Sequence, residues 1–246
     1  MRQVRTIRYR QIADELRSRI DAGAFGSARV LPSESDLSAE YDASRVTVRK
    51  ALEVLRDEGL VASRQGFGWF VAGDPVRQSL GRLGTIEQQL ADSGATPEQR
   101  IVGFGFVKAP RRAKEVLGAD TVLRVVRLNL ADGAPFAKVT VWCPEALGSA
   151  FSRDQLERAS FLELLDVSLG GATQTIGAGA CIGADAELLG VPVGSPVLEC
   201  ERVTRDAEGQ AVLLSQHVFP AHLTEFVVDL PVADASISPS GLRLVE

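Results

Sequence analysis

Residues 42–59 read Asp-Ala-Ser-Arg-Val-Thr-Val-Arg-Lys-Ala-Leu-Glu-Val-Leu-Arg-Asp-Glu-Gly. Asp42-Ala43-Ser44 makes a turn, Ser44 can cap the helix that follows over 45–58, and Gly59 stops it. At 100° per residue, Val48, Ala51, Leu52 and Leu55 share one apolar face. Val46, Arg49, Lys50 and Glu53 fall on the opposite face, with Arg45 at its edge near the N-terminus. A helix after a tight turn, with Ser, Arg, Val, Thr and Arg in its first turns, has the make-up of a recognition helix. Arginine can bond guanine O6 and N7 together, Ser and Thr can bond bases or phosphates, and valine can touch a thymine methyl.

The flanking sequence supplies the support such a helix needs. Upstream, Ile12, Leu16 and Ile20 recur every four residues from Tyr9 onward, with Ala13 beside them, and Gly23 and Gly26 end this first helix. In Leu31-Pro32-Ser33-Glu34-Ser35-Asp36-Leu37, Ser33 and Asp36 have capping-box spacing, and Leu37 and Tyr41 face inward from a short second helix. Downstream, 60–64 and 69–71 read as two short strands around a tip, Gln65-Gly66-Phe67-Gly68. The glycines allow close backbone approach, and Arg64 and Gln65 can enter a minor groove.

The ordered motifs Leu31-Pro32-Ser33-Glu34, Ser44-Arg45-x-Thr47-Val48-Arg49-x-Ala51-Leu52, Glu58-Gly59-Leu60 and Arg64-Gln65-Gly66-x-Gly68-x-x-Val71 closely resemble the winged helix of the GntR family, over about residues 7–72. The resemblance implies DNA contacts at Ser44, Arg45, Thr47, Arg49, Gln65 and Gly66. Ser33, Val46, Lys50 and Arg64 complete the candidate DNA-binding set. Ser35 stands where many members carry Arg or a long polar residue, which implies one backbone contact fewer. The alternative for this unit is a winged helix that touches only protein, its arginines simply solvated.

Charge agrees with that division of labour. The whole chain carries −5, yet residues 1–73 hold 12 Lys/Arg against 10 Asp/Glu, and the remainder 15 against 22. The excess of positive charge sits on the candidate DNA-binding end. Three scattered cysteines (Cys143, Cys181, Cys200) without C-x-x-C spacing argue against a disulfide framework or structural zinc. Two histidines, His217 and His222, supply a metal or hydrolase centre poorly, so no catalytic residue, metal or cofactor is expected. No apolar run reaches the roughly 18–20 residues that span a bilayer, and no apolar stretch follows the basic start; a cytoplasmic protein with no membrane partner is expected.

Asp74-Pro75 reads as the boundary, giving a DNA-binding domain over 1–73, a polar linker over 74–81, and an α+β domain with an antiparallel sheet over 82–246. In the last, 121–130 and 136–142 form a hairpin about Asp132-Gly133, and 197–205 and 211–220 another about 206–209. The stretch 156–166 reads as one helix, 176–183 as a strand and 184–189 as a short helix.

Arg127-Leu128-x-x-x-Asp132-Gly133-x-Pro135, Leu188-Leu189-Gly190-Val191-Pro192-x-Gly194-x-Pro196-Val197-Leu198 and Arg202-x-x-x-Asp206-x-x-Gly209 resemble the UTRA effector domain of the HutC subgroup of GntR regulators, over about residues 80–236. That resemblance implies a chorismate-lyase-like fold, a small-molecule effector and a homodimer on double-stranded operator DNA. The phosphonate-type repressors of the subgroup are a plausible relative. The pocket departs from sugar-phosphate-sensing members, which commonly show Arg-x-Arg where this chain has Arg127 and Asn129. Their hairpin Glu falls at Val139, a Tyr at Leu162, a later Glu at Leu213, and an Asp-x-Tyr pair at His222 and Thr224. Losing fixed donors and acceptors points to a less polar or smaller effector, or a weakened response. Thr85, Arg127, Asn129, Ser160, Ser215 and His217 are the candidate effector-binding residues. The bland alternative has Arg127 and Arg202 paired with sheet-edge carboxylates and His217 as a half-buried strand residue.

A ligand-responsive transcription regulator, a repressor on a palindrome, is the function expected. The alternatives are a chorismate-lyase-type enzyme fused to a DNA-binding head and a DNA-binding dimer that needs no effector.

Overall fold

The computed structural model describes residues 8–25, 29–64, 67–73, 75–81 and 83–230. Its N-terminal unit comprises α1 (Arg8–Asp21), α2 (Glu34–Glu40), α3 (Arg45–Asp57), β1 (Val61–Arg64) and β2 (Gly68–Val71). Each helix begins and faces as its sequence dictates. Ser33 and Asp36 form a reciprocal capping box on α2. Ser44 caps α3 by accepting from the Thr47 amide. Ile12, Ala13 and Leu16 of α1 pack with Val48, Ala51, Leu52 and Leu55 of α3 around Leu37, Val61 and Trp69. Val46 on the far side of α3 is 78% exposed. β1 and β2 pair antiparallel, Val61 with Val71 through Arg64 with Gly68.

The rest of the chain runs β3 (Val76–Ser79), α4 (Ile86–Asp92), β4 (Pro97–Lys108), α5 (Arg111–Leu117), β5 (Thr121–Ala131), β6 (Ala134–Pro144), α6 (Glu145–Gly148), α7 (Arg153–Arg158), α8 (Phe161–Leu164), β7 (Leu169–Ala180), α9 (Gly183–Leu189), β8 (Pro196–Asp206), β9 (Ala211–Pro220) and β10 (Thr224–Val227). Six strands make one sheet in the order β4-β5-β6-β9-β8-β7. All its pairings are antiparallel. The β5–β6 hairpin turns on Asp132 and Gly133, both at positive φ, which glycine and aspartate tolerate best.

Within 74–81, residues 76–79 form β3, which lies parallel to β10, Val76 beside Thr224 and Ser79 beside Val227. Two points differ from the sequence reading. The single helix expected over 156–166 is two, α7 and α8, because Ser160 takes an extended conformation and opens a new capping box with Glu163. The strand expected over 176–183 begins earlier, at Leu169, since the glycine-rich stretch 169–172 continues the pairing with β8 through a bulge at Leu169/Gly171.

Candidate DNA interface and effector cavity

The outward side of α3 presents Arg45, Val46, Arg49 and Lys50, all exposed, with Thr47 half-buried at the cap. Arg49 is not loose: its Nη2 donates to Glu34 Oε2 at 2.6 Å and its Nε to Glu34 Oε1 at 3.0 Å. Trp69 Nε1 of β2 donates to the same Oε1 at 3.1 Å, so Glu34 ties α2, α3 and the wing together. The Arg49 guanidinium, followed by its bond from Trp69, holds the Glu34 carboxyl below its ordinary value. Arg45 Nη2 donates to Ser35 Oγ at 2.8 Å. Lys50 Nζ lies 4.7 Å from the Tyr9 ring centroid. Glu34 was not picked out as an orienting group from sequence; its only signal was a place in the Leu-Pro-Ser-Glu motif.

On the wing, Arg64 is exposed and its Nη1 donates to the Ala221 carbonyl at 3.0 Å. Phe67 and Phe70 pack on His222, ring centroids 4.6 and 5.3 Å away. Gln65 and Gly66, both expected to touch DNA, lie outside the described residues. Ser33 and Ser44 are exposed at the starts of α2 and α3.

A cavity of about 70 Å3 opens on the sheet unit, between one sheet face and the starts of α4 and α8. Its floor follows from strand period two. Arg127 and Asn129 of β5, Val139 and Val141 of β6, Leu213, Ser215 and His217 of β9, and Arg202 and Thr204 of β8 line it from alternate positions. Register confirms the shared face, since Arg127 lies opposite Val139, Val139 opposite His217, and Ser215 opposite both Val141 and Arg202. Gly84, Thr85, Ile86 and Glu87 close one side, and Ser160, Phe161 and Leu162 the other.

The six residues expected to bind an effector therefore meet around one cavity. Several already have partners. Thr85 Oγ1 caps α4 by accepting from the Gln88 amide, and Ser160 caps α8. Asn129 Nδ2 donates to Glu87 Oε1 at 2.7 Å, leaving its Oδ1 buried without a partner. His217 Nε2 lies 2.9 Å from Ser215 Oγ. Burial, with help from Arg202, pushes the His217 imidazole down to about 3, so it is neutral at physiological pH. Arg127 is 5% exposed; its Nη2 donates to the Ala159 carbonyl at 3.2 Å and its Nε has no partner. Its guanidinium carbon stands 5.3 Å from the Phe161 ring centroid. The sheet-edge carboxylate pairing considered for Arg127 and Arg202 does not occur: neither has an ion-pair partner among the described residues.

Arg202, Glu87, Phe161 and Thr204 also line the cavity and were not chosen as pocket groups from sequence. Arg202 and Thr204 lie two apart on β8, so strand period was the available signal; Glu87 depends on how α4 docks. Of the positions where polar groups of sugar-phosphate sensors are replaced, Val139, Leu162 and Leu213 line the cavity. His222 and Thr224 do not: His222 packs on the wing and Thr224 on β3.

These two sites, an arginine-bearing helix beside a β wing and a cavity with two arginines in a largely apolar wall on a separate sheet unit, define a two-part DNA-binding regulator. Residues 8–71 match the bacterial regulatory proteins of the gntR family, and residues 92–224 match the UTRA domain. The chain is 32% identical to the HTH-type transcriptional regulator Rv0792c of Mycobacterium tuberculosis, over 96% of this chain and 89% of that one. It is 26% identical to the HTH-type transcriptional repressor NagR of Bacillus subtilis, over 89% and 93% respectively. Among solved structures, PhnF from Mycobacterium smegmatis matches 90% of this chain and 100% of its own, with TM-score 0.59 and 23% identity, a likeness of fold. The chain belongs to the GntR family, with the winged helix and UTRA pairing of the HutC subgroup. It is a ligand-responsive DNA-binding transcription regulator. No helix among the described residues is long and apolar enough to cross a membrane.

Proposed function

We propose that the chain represses transcription as a cytoplasmic homodimer on a palindromic operator, and that the cavity takes the effector that releases it. The observation that carries the DNA half is the exposed row Arg45, Val46, Arg49 and Lys50 on a helix whose other face is buried in Val48, Ala51, Leu52 and Leu55. Such a helix enters a major groove, and the neighbouring wing, with Arg64 at the turn end of β1 and Gln65 and Gly66 next in sequence, reaches the adjacent minor groove. A dimer presents two such heads to two half-sites, and an effector that favours a different spacing of the heads lowers affinity.

The bare edge of the sheet supports the dimer. β7 is a 12-residue edge strand without a charged residue or proline, and Ile176 at its middle is exposed. Its bulge lies at one end, at Leu169/Gly171, so the rest of the edge is open to pairing with a second copy. A chorismate-lyase-type reaction is disfavoured because the cavity imidazole, His217, is held down to about 3 and is a weak base at neutral pH.

The test is fluorescence anisotropy of the purified chain on duplexes footprinted from its own upstream region. Two-to-one binding that weakens steeply with salt and with a metabolite extract supports the reading. Indifference to every palindromic duplex at low ionic strength overturns it.

A further inference from the structure

The two cavity arginines differ in what surrounds them. Arg127 stands near Glu87 and Glu163, which act on it electrostatically from beyond ion-pair distance. No carboxylate among the described residues acts on Arg202, whose one acidic neighbour is the Cys200 thiol: its Nε donates to Gln174 Oε1 at 2.7 Å and its Nη1 to the Gly84 carbonyl at 2.9 Å, both neutral. Nη2 of Arg202 makes no hydrogen bond among the described residues. A largely buried cation held only by neutral acceptors is costly to keep in a fold, and an incoming anion relieves that cost. His217 and Ser215 beside it bond each other and carry no charge. The lining itself holds two cations and one carboxylate, Glu87; Glu87 and Glu163 both act on Arg127, which leaves Arg202 as the cation that a single negative charge would balance.

The rest of the wall restricts the ligand's body. Ile86, Val139, Val141, Phe161, Leu162 and Leu213 are apolar. Thr85 and Ser160 are already spent as helix caps. Among the described lining residues, the fully buried side-chain atoms without a partner are Asn129 Oδ1 and Arg127 Nε, beside the unbonded Nη2 of Arg202. A polyol with several hydroxyls would find too few partners there. At about 70 Å3 the space is near half of a cavity that holds benzene, so what enters is small.

We infer that the effector is a small organic monoanion, a carboxylate on an apolar body, whose charged group anchors at Arg202 and whose one polar substituent meets Asn129 and Arg127. This rests on the reading of the cavity as the effector site. Arg202 sets the requirement for charge; Arg127 sets orientation.

The experiment uses the full chain, with thermal melting and calorimetry against propionate, butyrate, hexanoate and benzoate. Hexanamide and benzamide serve as neutral isosteres, with a hexose 6-phosphate and inorganic phosphate as dianionic arms. At least one carboxylate is expected to raise Tm and release operator DNA, with its amide at least tenfold weaker. Arg202→Met is expected to lower that carboxylate's affinity tenfold or more without lowering Tm of the unliganded protein, and Arg127→Met to lower it less. A structural arginine would instead lower Tm when removed. The acid-against-amide comparison on the unmodified chain decides the matter even if a variant fails to fold. Binding of the hexose phosphate with all carboxylates silent, or equal binding of acid and amide, overturns the monoanion inference and leaves the regulator reading standing. Operator binding that no member of the panel alters, with no melting shift from any, removes the inference, while a metabolite extract that still releases the operator separates this from failure of the regulator reading itself.

Discussion

Arg64 on the wing donates to the carbonyl of Ala221, four residues along the chain from His217 in the cavity. β9 carries Ser215 and His217 on the cavity floor and ends at Pro220; the next two residues, Ala221 and His222, hold the wing. A displacement of β9 by a ligand is therefore passed to the DNA-reading ribbon over a few residues of one chain. Coupling needs such an element with different contacts in the two states.

His222→Ala tests this connection without touching cavity or operator. Loss of the imidazole between Phe67 and Phe70 is expected to speed amide hydrogen exchange in β1 and β2, because the ribbon loses its packing partner. Effector affinity should stay within about twofold, while the effector's power to release the operator falls. Unchanged exchange in 61–71 together with full effector response would show that β9 does not transmit the signal.

Glu34 prepares Arg49 for DNA by fixing its direction, yet it also competes with any base for the same guanidinium. Arg49→Ala is expected to weaken specific operator binding roughly tenfold to a hundredfold, the worth of a bidentate guanine contact. Glu34→Gln should act differently: non-specific affinity rises as a negative charge leaves the interface, and discrimination between operator and scrambled duplex falls as Arg49 loses its guide. Anisotropy on both duplexes over a salt series separates the two effects. Equal operator affinity for Arg49→Ala and the parent would mean that α3 reads DNA with another face.

The N-terminal unit was largely legible in the sequence, because its helices are amphipathic, its caps are local, and its core residues recur at helical spacing. Ser33, Ser44 and the buried row Val48, Ala51, Leu52 and Leu55 needed no tertiary information. The cavity was legible residue by residue where polar groups sat on recognisable strands, as for Arg127 and Asn129. What remained hidden depended on non-local docking. Glu87 enters through the placement of α4, and Arg202 gains its meaning from having no carboxylate acting on it among the described residues, a fact of three dimensions. The parallel pairing of β3 with β10 joins residues about 150 positions apart, and their local pattern carries no sign of it. Ser160 misled in the opposite sense: a capping serine inside an apolar run breaks a helix that periodicity alone extends.

His217 gives a pH signature whose sign is fixed by its burial. The unfolded imidazole titrates near 6.5, whereas the folded one is held down to about 3. Below 6.5 the unfolded chain takes up a proton that the folded chain refuses, so stability falls as pH drops from about 6.5 toward about 3, and this contribution is flat outside that window. The slope reaches about 1.4 kcal/mol per pH unit. Between pH 6.5 and 5 the parent should thus lose about 1.6 kcal/mol more than His217→Gln in denaturant titrations, since the slope at 6.5 is half its limit. Parallel pH profiles for the two proteins would place a protonated imidazole in the folded cavity.

The three cysteines are unpaired and buried, which makes a chemical prediction. Cys143 lies in the sheet core and Cys200 on the cavity face of β8, opposite His217 and two residues before Arg202, and burial pushes both thiols up to about 12. Cys181, beside α9, is raised as well, by burial first and then by Asp185. Thiolate is the nucleophile, and at pH 8 a thiol titrating near 12 is ionised in only about one molecule in ten thousand. The native chain is therefore expected to release almost no thionitrobenzoate from Ellman's reagent over several minutes at pH 8, and three equivalents at once in guanidinium chloride. An occupied cavity should slow the residual reaction of Cys200 further, since the strand that carries it also carries Arg202. Rapid native labelling of one cysteine would mark a sheet that opens on the time scale of the reagent, and peptide mapping would name the strand.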